Sequence, residues 1–227
     1  MFKDILNYYR ECFSMVDVFH CNSRHTEEIY RKYLPAMDAA VIPITHGGIK
    51  DRRKYKCFNT NCLRMSFVGS SAPYKGLPLL IEVLKSIDNK KWELNVWGGK
   101  VGHDASLPIY YRGAFCSNML EEVYGNTDLV VVPSIWDETF SFVTLEALSF
   151  GTPVLVSNHV GAKDIVCQYA PRFVYQSEKD LEVLLLSLIK DRMYLRDYHQ
   201  QIMSQTWHYS MREHARDIID KVYVGKS

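Results

Sequence analysis

The sequence has no apolar run long enough to cross a bilayer. Its most hydrophobic stretch, "LEVLLLSLI" from Leu181 to Ile189, contains Glu182 and is far shorter than the roughly 20 residues that a membrane-spanning helix needs. No basic-then-apolar leader with a small-residue cleavage site opens the chain, so we expect no signal peptide. The formal net charge is only +1, which gives no electrostatic case for binding nucleic acid. These absences favour a soluble globular protein.

Cysteine is also scarce, with six residues scattered along 227. A chain of this length with 47% hydrophobic residues does not need disulfide staples, so reduced thiols in the cytoplasm are expected. Cys57 and Cys62 in "CFNTNC" could form half of a zinc site, but no second close pair of Cys or His completes it. We therefore expect no metal there.

The first 63 residues predict two helices and two short strands. The stretch "MFKDILNYYRECFSMVDVFHCNS" indicates an amphipathic helix and then a strand around Val18 to Cys21. A second helix follows in "SRHTEEIYRKYL", and a buried strand in "AAVIPI". The next segment, "IKDRRKYKCFNTNC", is polar and basic, which favours a solvated linker. The alternative is that its five basic side chains touch an anionic membrane surface.

From Arg64 onward, apolar strands alternate with helices. Strands are predicted in "LRMSFVGS", "WELNVWGG", "IYYRGAF", "DLVVVPS", "TPVLVSN" and "PRFVYQ", and helices in "KGLPLLIEVLKSI", "NMLEEVYGNT", "FSFVTLEALSFG" and "GAKDIVCQY". This alternation predicts an α/β domain with a parallel sheet covered on both faces, a Rossmann-like doubly wound fold. The chain from Glu178 on is predicted to be helical. We place the boundary between two domains at residues 63 and 64.

Three predicted strands end in turns where ligands bind in such sheets, namely "FVGSSAPYKG", "VWGGK" and "VPSIWDETFSF". The first turn leaves backbone N–H groups before a helix and adds Lys75, which together form a candidate phosphate cradle. It is neither a Walker sequence nor a dinucleotide fingerprint. The alternative is a tight turn with a solvated lysine.

One glutamate lies just before a largely apolar predicted helix, and a second glutamate lies inside it. Glu146 has Phe142 and Phe150 as its helical neighbours, and burying an unpaired carboxylate costs several kcal/mol, so it needs hydrogen-bond donors. Glu138 lies eight residues earlier, and this spacing allows both carboxylates to face one cleft. The alternative for Glu138 is that it only complements the helix dipole.

These motifs together resemble the retaining glycosyltransferases of family four, which have the two-domain GT-B fold. The stretch "PSIWDETFSFVTLEALSFGTPVLVS" resembles the two-glutamate signature of the family, and "FVGSSAPYKGLPLLIEVL" resembles its phosphate-binding turn. The stretch "RGAFCSNMLEEVYGNTDLVVVPS" resembles the segment between them. The resemblance covers about Asp17 to Val174. It implies the C-terminal, donor-binding half of a GT-B fold in residues 64–227, preceded by a remnant of the N-terminal domain and a linker in residues 1–63.

The resemblance also implies roles for individual residues. Glu146 would accept hydrogen bonds from the ribose hydroxyls of a nucleotide, so that the ligand supplies its donors. Glu138 would hold hydroxyls of the donor sugar, and Lys75 would bind the diphosphate and stabilise it as the leaving group; these two are the expected catalytic residues. Phe115 would lie near the base. The full expected donor site is Gly69, Ser70, Ser71, Lys75, Phe115, Glu138, Phe140, Ser141, Phe142 and Glu146, with backbone N–H groups of residues 140–142 facing the phosphates.

The sequence departs from the family pattern at two positions. Ser70 stands where arginine is usual, and Ser141 stands where glycine is usual. The first change removes one of two charges expected on the diphosphate, and Lys100 or Lys163 is a candidate to replace it. No Asp-x-Asp sequence occurs, which fits an enzyme that needs no metal or other cofactor.

The resulting hypothesis is a retaining glycosyltransferase that moves a sugar from a UDP- or GDP-linked donor to a glycan or lipid-linked acceptor, as in polysaccharide biosynthesis. We expect it in the cytoplasm, at most peripheral to the inner face of the membrane. The chain would be the donor-binding half and would need an N-terminal partner domain, on which Phe2, Ile5 and Leu6 would dock. The alternatives are a nucleotide-sugar epimerase of the same architecture and a non-catalytic nucleotide-binding or interaction module.

Overall fold

The computed structural model describes residues 2–224, except for the side chain of Phe2. The chain begins with a small unit of two helices and two strands. These are α1 (Phe2–Ser14), β1 (Phe19–Cys21), α2 (Arg24–Arg31) and β2 (Ala39–Val41). The two strands pair in parallel, with Phe19 opposite Ala39. We call residues 2–41 the first unit; its elements agree with those predicted from the sequence.

The larger sheet has seven strands. They are β3 (Leu63–Val68), β4 (Trp92–Trp97), β5 (Val101–His103), β6 (Ile109–Gly113), β7 (Leu129–Val132), β8 (Val154–Ser157) and β9 (Val174–Tyr175). Their order across the sheet is β5-β6-β4-β3-β7-β8-β9. All neighbouring pairs are parallel except β5 and β6. The chain reverses its direction of travel across the sheet between β3 and β7, and this switch point is where doubly wound sheets bind ligands.

Six further helices accompany this sheet. They are α3 (Leu77–Ser86), α4 (Phe142–Ser149), α5 (Lys163–Tyr169), α6 (Glu178–Lys190), α7 (Met193–Ser204) and α8 (Met211–Ile218). Serine side chains cap the N-termini of α4, α6 and α8 by accepting from a backbone N–H of the first turn, which satisfies a donor that has no partner within the helix. In the part of the chain described, no helix is long and apolar enough to span a membrane.

The core explains why the strands read as continuous apolar runs. Leu129, Val130, Leu155 and Val156 in the central strands have less than 1% of their surface exposed, because helices cover both faces of the sheet. The α4 helix is also buried on most sides, and Leu145, Ala147 and Leu148 are inaccessible. The predicted doubly wound α/β architecture is therefore confirmed.

Two local features differ from a regular α/β alternation. The helix predicted in "NMLEEVYGNT" is present as a 3-10 turn at Ser117–Met119 followed by a wide π-helical turn at Glu121–Gly125. Thr127 Oγ1 and Lys56 Nζ donate to carbonyls of this turn, so side chains replace the bonds of a continuing helix. The edge strand β5 was not predicted, because Val101–His103 is exposed at every position and shows no alternation.

The segment predicted as a solvated linker instead packs on the larger domain. Lys56 Nζ donates to the carbonyls of Tyr124, Gly125 and Thr127 at 2.6, 2.9 and 2.8 Å. Arg53 donates to the carbonyls of residues 202 and 205, and its guanidinium lies over the ring of Trp207. The solvated-linker interpretation is therefore wrong for these cations, while the boundary at residues 63 and 64 stays a prediction.

The end of the chain returns to residues that follow the first unit. Thr45 Oγ1 donates to the Tyr209 carbonyl at 2.7 Å. His214 Nδ1, on α8, lies 2.9 Å from the Pro43 carbonyl and donates to it. Tyr209 and α8 thus fasten the connection between β2 and the larger domain.

Candidate functional site

The turn after β3 and the loop after β7 are joined at the switch point of the sheet. Gly76 has φ +79, and a Cβ there would lie 1.7 Å from the Pro133 carbonyl oxygen, so only glycine permits this approach. The carbonyl of Tyr74 accepts from Ser134 Oγ at 3.1 Å and from the N–H of Ile135 at 3.0 Å. These contacts bring the predicted phosphate turn against the predicted glutamate loop.

Lys75 and Glu138 meet across this junction. Lys75 Nζ lies 3.0 Å from Glu138 Oε1, with 33% and 15% of the two side chains exposed. The contact is an ion pair by distance, but among the described residues the buried Oε1 atom accepts no hydrogen bond of good geometry. The pair is therefore held by charge, and Oε1 retains capacity for another donor.

The backbone of Glu138 is fixed on both sides. Its N–H donates to the His159 carbonyl at 2.8 Å, and its carbonyl accepts from the N–H of Gly161 at 2.8 Å. The residue lies outside α4, whose N-cap is Ser141. The helix-dipole alternative is thus weakened, because the capping position belongs to another residue.

The N-terminus of α4 follows Glu138 by three residues in the chain. Ser141 Oγ accepts from the N–H of Thr144 at 3.3 Å, whereas the N–H groups of Phe142 and Val143 have no acceptor four residues earlier. Phe140 is buried and packs edge-on against Phe142. The serine that replaces the usual glycine therefore caps the helix and leaves the first two helical N–H groups as candidates for an anion.

Glu146 has protein partners that sequence reasoning missed. The hydroxyl of Tyr124 donates to Glu146 Oε2 at 2.6 Å. Glu146 Oε1 lies 3.7 Å from His46 Nε2, and 18% of the glutamate side chain is exposed. The expectation that a ligand supplies all the donors for Glu146 is corrected: the protein supplies one, and Oε1 stays available.

In the turn after β3, the backbone N–H of Gly69 is already hydrogen-bonded within the protein. Its N–H donates to the Trp97 carbonyl at 3.0 Å, and a Cβ on Gly98 would lie 2.6 Å from the Gly69 carbonyl oxygen. Ser70 and Ser71 are exposed. Their N–H groups are therefore the candidates for a phosphate in this turn, and the role of all three residues stays a prediction.

The other predicted contacts lie further along the same edge. Phe115 is half-buried and packs edge-on against Trp97 at the end of β4. Lys100 Nζ lies 4.3 Å from the ring centre of Tyr111. Lys163 Nζ donates to the Asn158 carbonyl at 2.6 Å. Because Lys163 is engaged with backbone, it is a poor substitute for the missing arginine charge.

A second group of polar residues links the first unit to the glutamate loop. Asp137 Oδ1 lies 3.0 Å from His25 Nε2 and 2.9 Å from His159 Nδ1. The hydrogen bond from His159, followed by that from His25, lowers the pKa of Asp137. Nearby, Ser23 Oγ donates to the Thr139 carbonyl at 2.7 Å. No local pattern indicated the contacts of Ser23 and His25, because they join residues more than 100 positions apart.

All six cysteines are free thiols. Among residues 2–224, no group of three or more His, Cys, Asp or Glu side chains is placed to hold a metal ion. Cys57 is exposed and Cys62 half-buried.

Known proteins with related sequences or folds cover most of this chain. A protein from the cps region of Klebsiella pneumoniae, itself uncharacterized, is 27% identical over 156 residues, which are 60% of this chain and 43% of that protein. Sucrose-phosphate synthase from Thermosynechococcus elongatus superposes with a TM-score of 0.70 at 17% identity, over 99% of this chain and 63% of that one. HepE from Anabaena, solved with UDP and glucose, gives a TM-score of 0.72 at 15% identity, over 92% and 64% of the two chains.

The structural likenesses establish the fold, in which the seven-stranded sheet and its helices match GT-B glycosyltransferases. The chain spans less than two thirds of the length of these relatives. The sequence profile described as "Glycosyl transferases group 1" matches residues 49–205, which include the phosphate turn, both glutamates and α4. The chain belongs to the group 1 glycosyltransferase family.

Proposed function

We propose that this chain binds the nucleotide diphosphate of a UDP- or GDP-linked sugar at the junction of residues 69–76 with residues 133–146. The observation that carries the proposal is the Lys75–Glu138 pair, in which a buried carboxylate oxygen lies beside an ammonium yet accepts no well-formed hydrogen bond among the described residues. A buried acceptor of this kind calls for a donor. A sugar hydroxyl on one side and a phosphate on the other would satisfy both members of the pair.

The proposed chemistry is glycosyl transfer with retention of configuration. The bond between the sugar and the diphosphate breaks and the nucleotide diphosphate leaves. An acceptor hydroxyl bonds to the sugar carbon from the same face and passes its proton to an oxygen of the departing diphosphate. Lys75 would stabilise the negative charge that develops on the departing diphosphate, together with the first-turn N–H groups of α4. Glu138 would orient the sugar, and Glu146 would accept from the ribose. No step requires a metal ion or another cofactor.

Relatives support this donor and acceptor class. HepE was solved with UDP and glucose, and the Klebsiella relative is encoded in a cps region. We propose by analogy a UDP- or GDP-sugar donor, a glycan or lipid-linked acceptor, and a place in polysaccharide biosynthesis. A cytoplasmic location, at most peripheral to the inner face of the membrane, is part of the same proposal.

We further propose that an acceptor-binding N-terminal domain docks on the first unit. Large apolar side chains are exposed there, namely Ile5, Tyr8, Tyr9, Tyr30 and Tyr33, and exposed apolar patches of this kind mark interaction surfaces. A groove of about 430 Å³ runs beside them, between α1 and residues 33–38. Leu6 is half-buried, so of the apolar residues first expected to dock only Ile5 is exposed, while the Phe2 side chain lies outside the described residues.

The test distinguishes the contribution of the phosphates to binding from that of the nucleoside. UDP and uridine are titrated by NMR against the wild-type chain, Lys75→Gln and Glu146→Gln. We expect UDP to bind the wild type with Kd on the order of 0.1–1 mM, as for one open site without domain closure. Lys75→Gln should weaken the binding of UDP about tenfold and leave the binding of uridine unchanged, because Lys75 is proposed to contact the phosphates. Glu146→Gln should weaken both ligands.

The matched control is Lys85→Gln, which removes an exposed lysine paired with Glu82 on α3. It should change neither affinity. Equal losses for Lys75→Gln and Lys85→Gln would show that charge in general, and not this pair, binds UDP. Release of UDP or GDP from a donor panel then tests transfer, which should require the added acceptor-binding domain. Interconversion of two nucleotide sugars would instead indicate the epimerase, and nucleotide binding without turnover under all conditions would indicate the non-catalytic module.

A further inference from the structure

Among the described residues, one buried hydroxyl donates a hydrogen bond to the carboxylate of Glu146. Tyr124 donates to Oε2 at 2.6 Å, and its side chain is completely buried. Its ring packs on Phe150, with 5.8 Å between ring centres. Because the tyrosine cannot move without disturbing the core, it fixes the position of the oxygen that it contacts.

The other oxygen of Glu146 faces outward and is not committed. His46 Nε2 lies 3.7 Å from Oε1, beyond hydrogen-bond distance. The N–H of Gly48 donates to His46 Nδ1 at 3.1 Å, so the neutral ring carries its proton on Nε2, on the side of Glu146. The ring is exposed and edge-on to Phe142, with 5.0 Å between centres. Oε1 therefore lies beside the His46 ring, on a glutamate side chain that keeps 18% of its surface exposed.

Tyr124 remains a donor throughout the range in which the protein would work. Burial and the neighbouring Glu146 carboxylate both raise the pKa of the Tyr124 hydroxyl. The hydroxyl therefore keeps its proton at neutral pH, and its hydrogen points at Oε2. The Tyr124 hydroxyl therefore engages one carboxylate oxygen of Glu146 and leaves the other without a hydrogen bond from the described residues.

We infer that Tyr124 is a positioning residue for nucleotide recognition, which holds Oε2 of Glu146 so that Oε1 accepts a hydrogen bond from a ribose hydroxyl. The inference rests on the proposed function and deepens it. The ligand class is a nucleoside diphosphate with an intact ribose diol. Without the tyrosine hydroxyl the carboxylate can rotate, and an acceptor that must be oriented on binding is weaker than one oriented beforehand.

The experiment compares UDP with 2′,3′-dideoxy-UDP, which keeps the base and phosphates but lacks both ribose hydroxyls. Binding is followed by NMR titration of the full chain as wild type, Tyr124→Phe and Tyr198→Phe. Tyr124→Phe removes one oxygen and keeps the ring. Tyr198→Phe is the matched control, because Tyr198 is equally buried but lies on α7, where its ring packs against Phe173.

We expect Tyr124→Phe to weaken UDP about tenfold, equivalent to about 1.4 kcal/mol, and to leave dideoxy-UDP within about twofold of the wild type. Tyr198→Phe should change neither. A structural role for the Tyr124 hydroxyl would weaken both nucleotides equally, and that outcome overturns the inference. Unchanged UDP affinity in Tyr124→Phe overturns it as well.

Two further measurements separate the remaining outcomes. A wild-type chain that binds neither UDP nor GDP refutes the proposed function itself, and the inference falls with it. If Tyr124→Phe does not fold, Glu146→Ala is used, because it removes both carboxylate oxygens and leaves no side-chain acceptor or donor for the ribose hydroxyls. Retained discrimination between UDP and dideoxy-UDP in that variant shows that Oε1 is not the ribose acceptor and overturns the inference.

Discussion

Lys56→Met removes one of the cations that fasten residues 49–62 to the larger domain. The lysine ammonium donates to three backbone carbonyls, those of Tyr124, Gly125 and Thr127. Methionine has a similar length and an apolar stem but no donor. The substitution therefore removes three hydrogen bonds and little packing.

Two opposing contributions set the expected loss of stability. Burial lowers the pKa of Lys56 to about 7, so desolvation opposes the charged form in the folded state. Three bonds from a charged donor offset this with about 1.5–3 kcal/mol each. The Tyr124 carbonyl also accepts from Thr152 Oγ1, so the variant leaves the carbonyls of Gly125 and Thr127 without their lysine. We expect a net loss of about 2 kcal/mol in the free energy of unfolding.

Urea unfolding at one pH near neutrality, followed by circular dichroism and tryptophan fluorescence, gives this free energy by linear extrapolation. The matched control is Lys54→Met. Lys54 pairs with Glu121 at 2.9 Å, but the two side chains are 71% and 58% exposed, so its loss should cost less than about 0.5 kcal/mol. If the two variants lose the same stability, the carbonyls rehydrate freely and Lys56 does not fasten the segment.

Two other perturbations probe the surroundings of the site. A Cβ at Gly161 would lie 2.1 Å from the Thr139 carbonyl oxygen, whereas a Cβ at Gly47 meets nothing within 4 Å. Gly161→Ala should therefore lower the free energy of unfolding by about 1–3 kcal/mol in thermal unfolding, and the control Gly47→Ala should change it almost not at all. Similar melting temperatures for the two variants would contradict this. His199 donates from Nδ1 to the Gly151 carbonyl at 2.7 Å, and burial lowers its pKa, so the unfolded chain takes up the proton first. Stability should be fully present above about pH 6.5 and fall as the pH drops below it; His199→Gln should flatten that fall in urea midpoints, and an unchanged slope would exclude His199 as its source.

The sheet could be predicted because its information is local. In β3, β7 and β8 the apolar residues are consecutive, and a stretch long enough for a helix follows both β3 and β7. Parallel pairing then follows from the crossover connections. The meeting of Lys75 with Glu138 was also foreseeable, because the carboxyl ends of adjacent parallel strands lie together.

Other contacts could not be predicted, for two physical reasons. Lys56 lies in a run of charged residues that composition alone assigns to solvent, and only the carbonyls of the turn at 121–127 make its burial favourable. Tyr124 and His46 approach Glu146 from segments 22 and 100 residues away, and no spacing rule connects them. The sequence therefore raised the question of what pairs with Glu146, but the structure was needed to identify Tyr124.

The return of Tyr209 and α8 to the segment after the first unit has a consequence for how the protein folds. Thr45 and Tyr209 are 164 residues apart, and Pro43 and His214 are 171 apart. Closing such long loops carries a large entropy cost that is recovered only when the contact forms. A sheet of two strands is marginal on its own in water. During synthesis, β1 and β2 therefore emerge well before the helix that fastens the segment behind them, and a ribosome that stalls before residue 214 would hold the two strands without that contact.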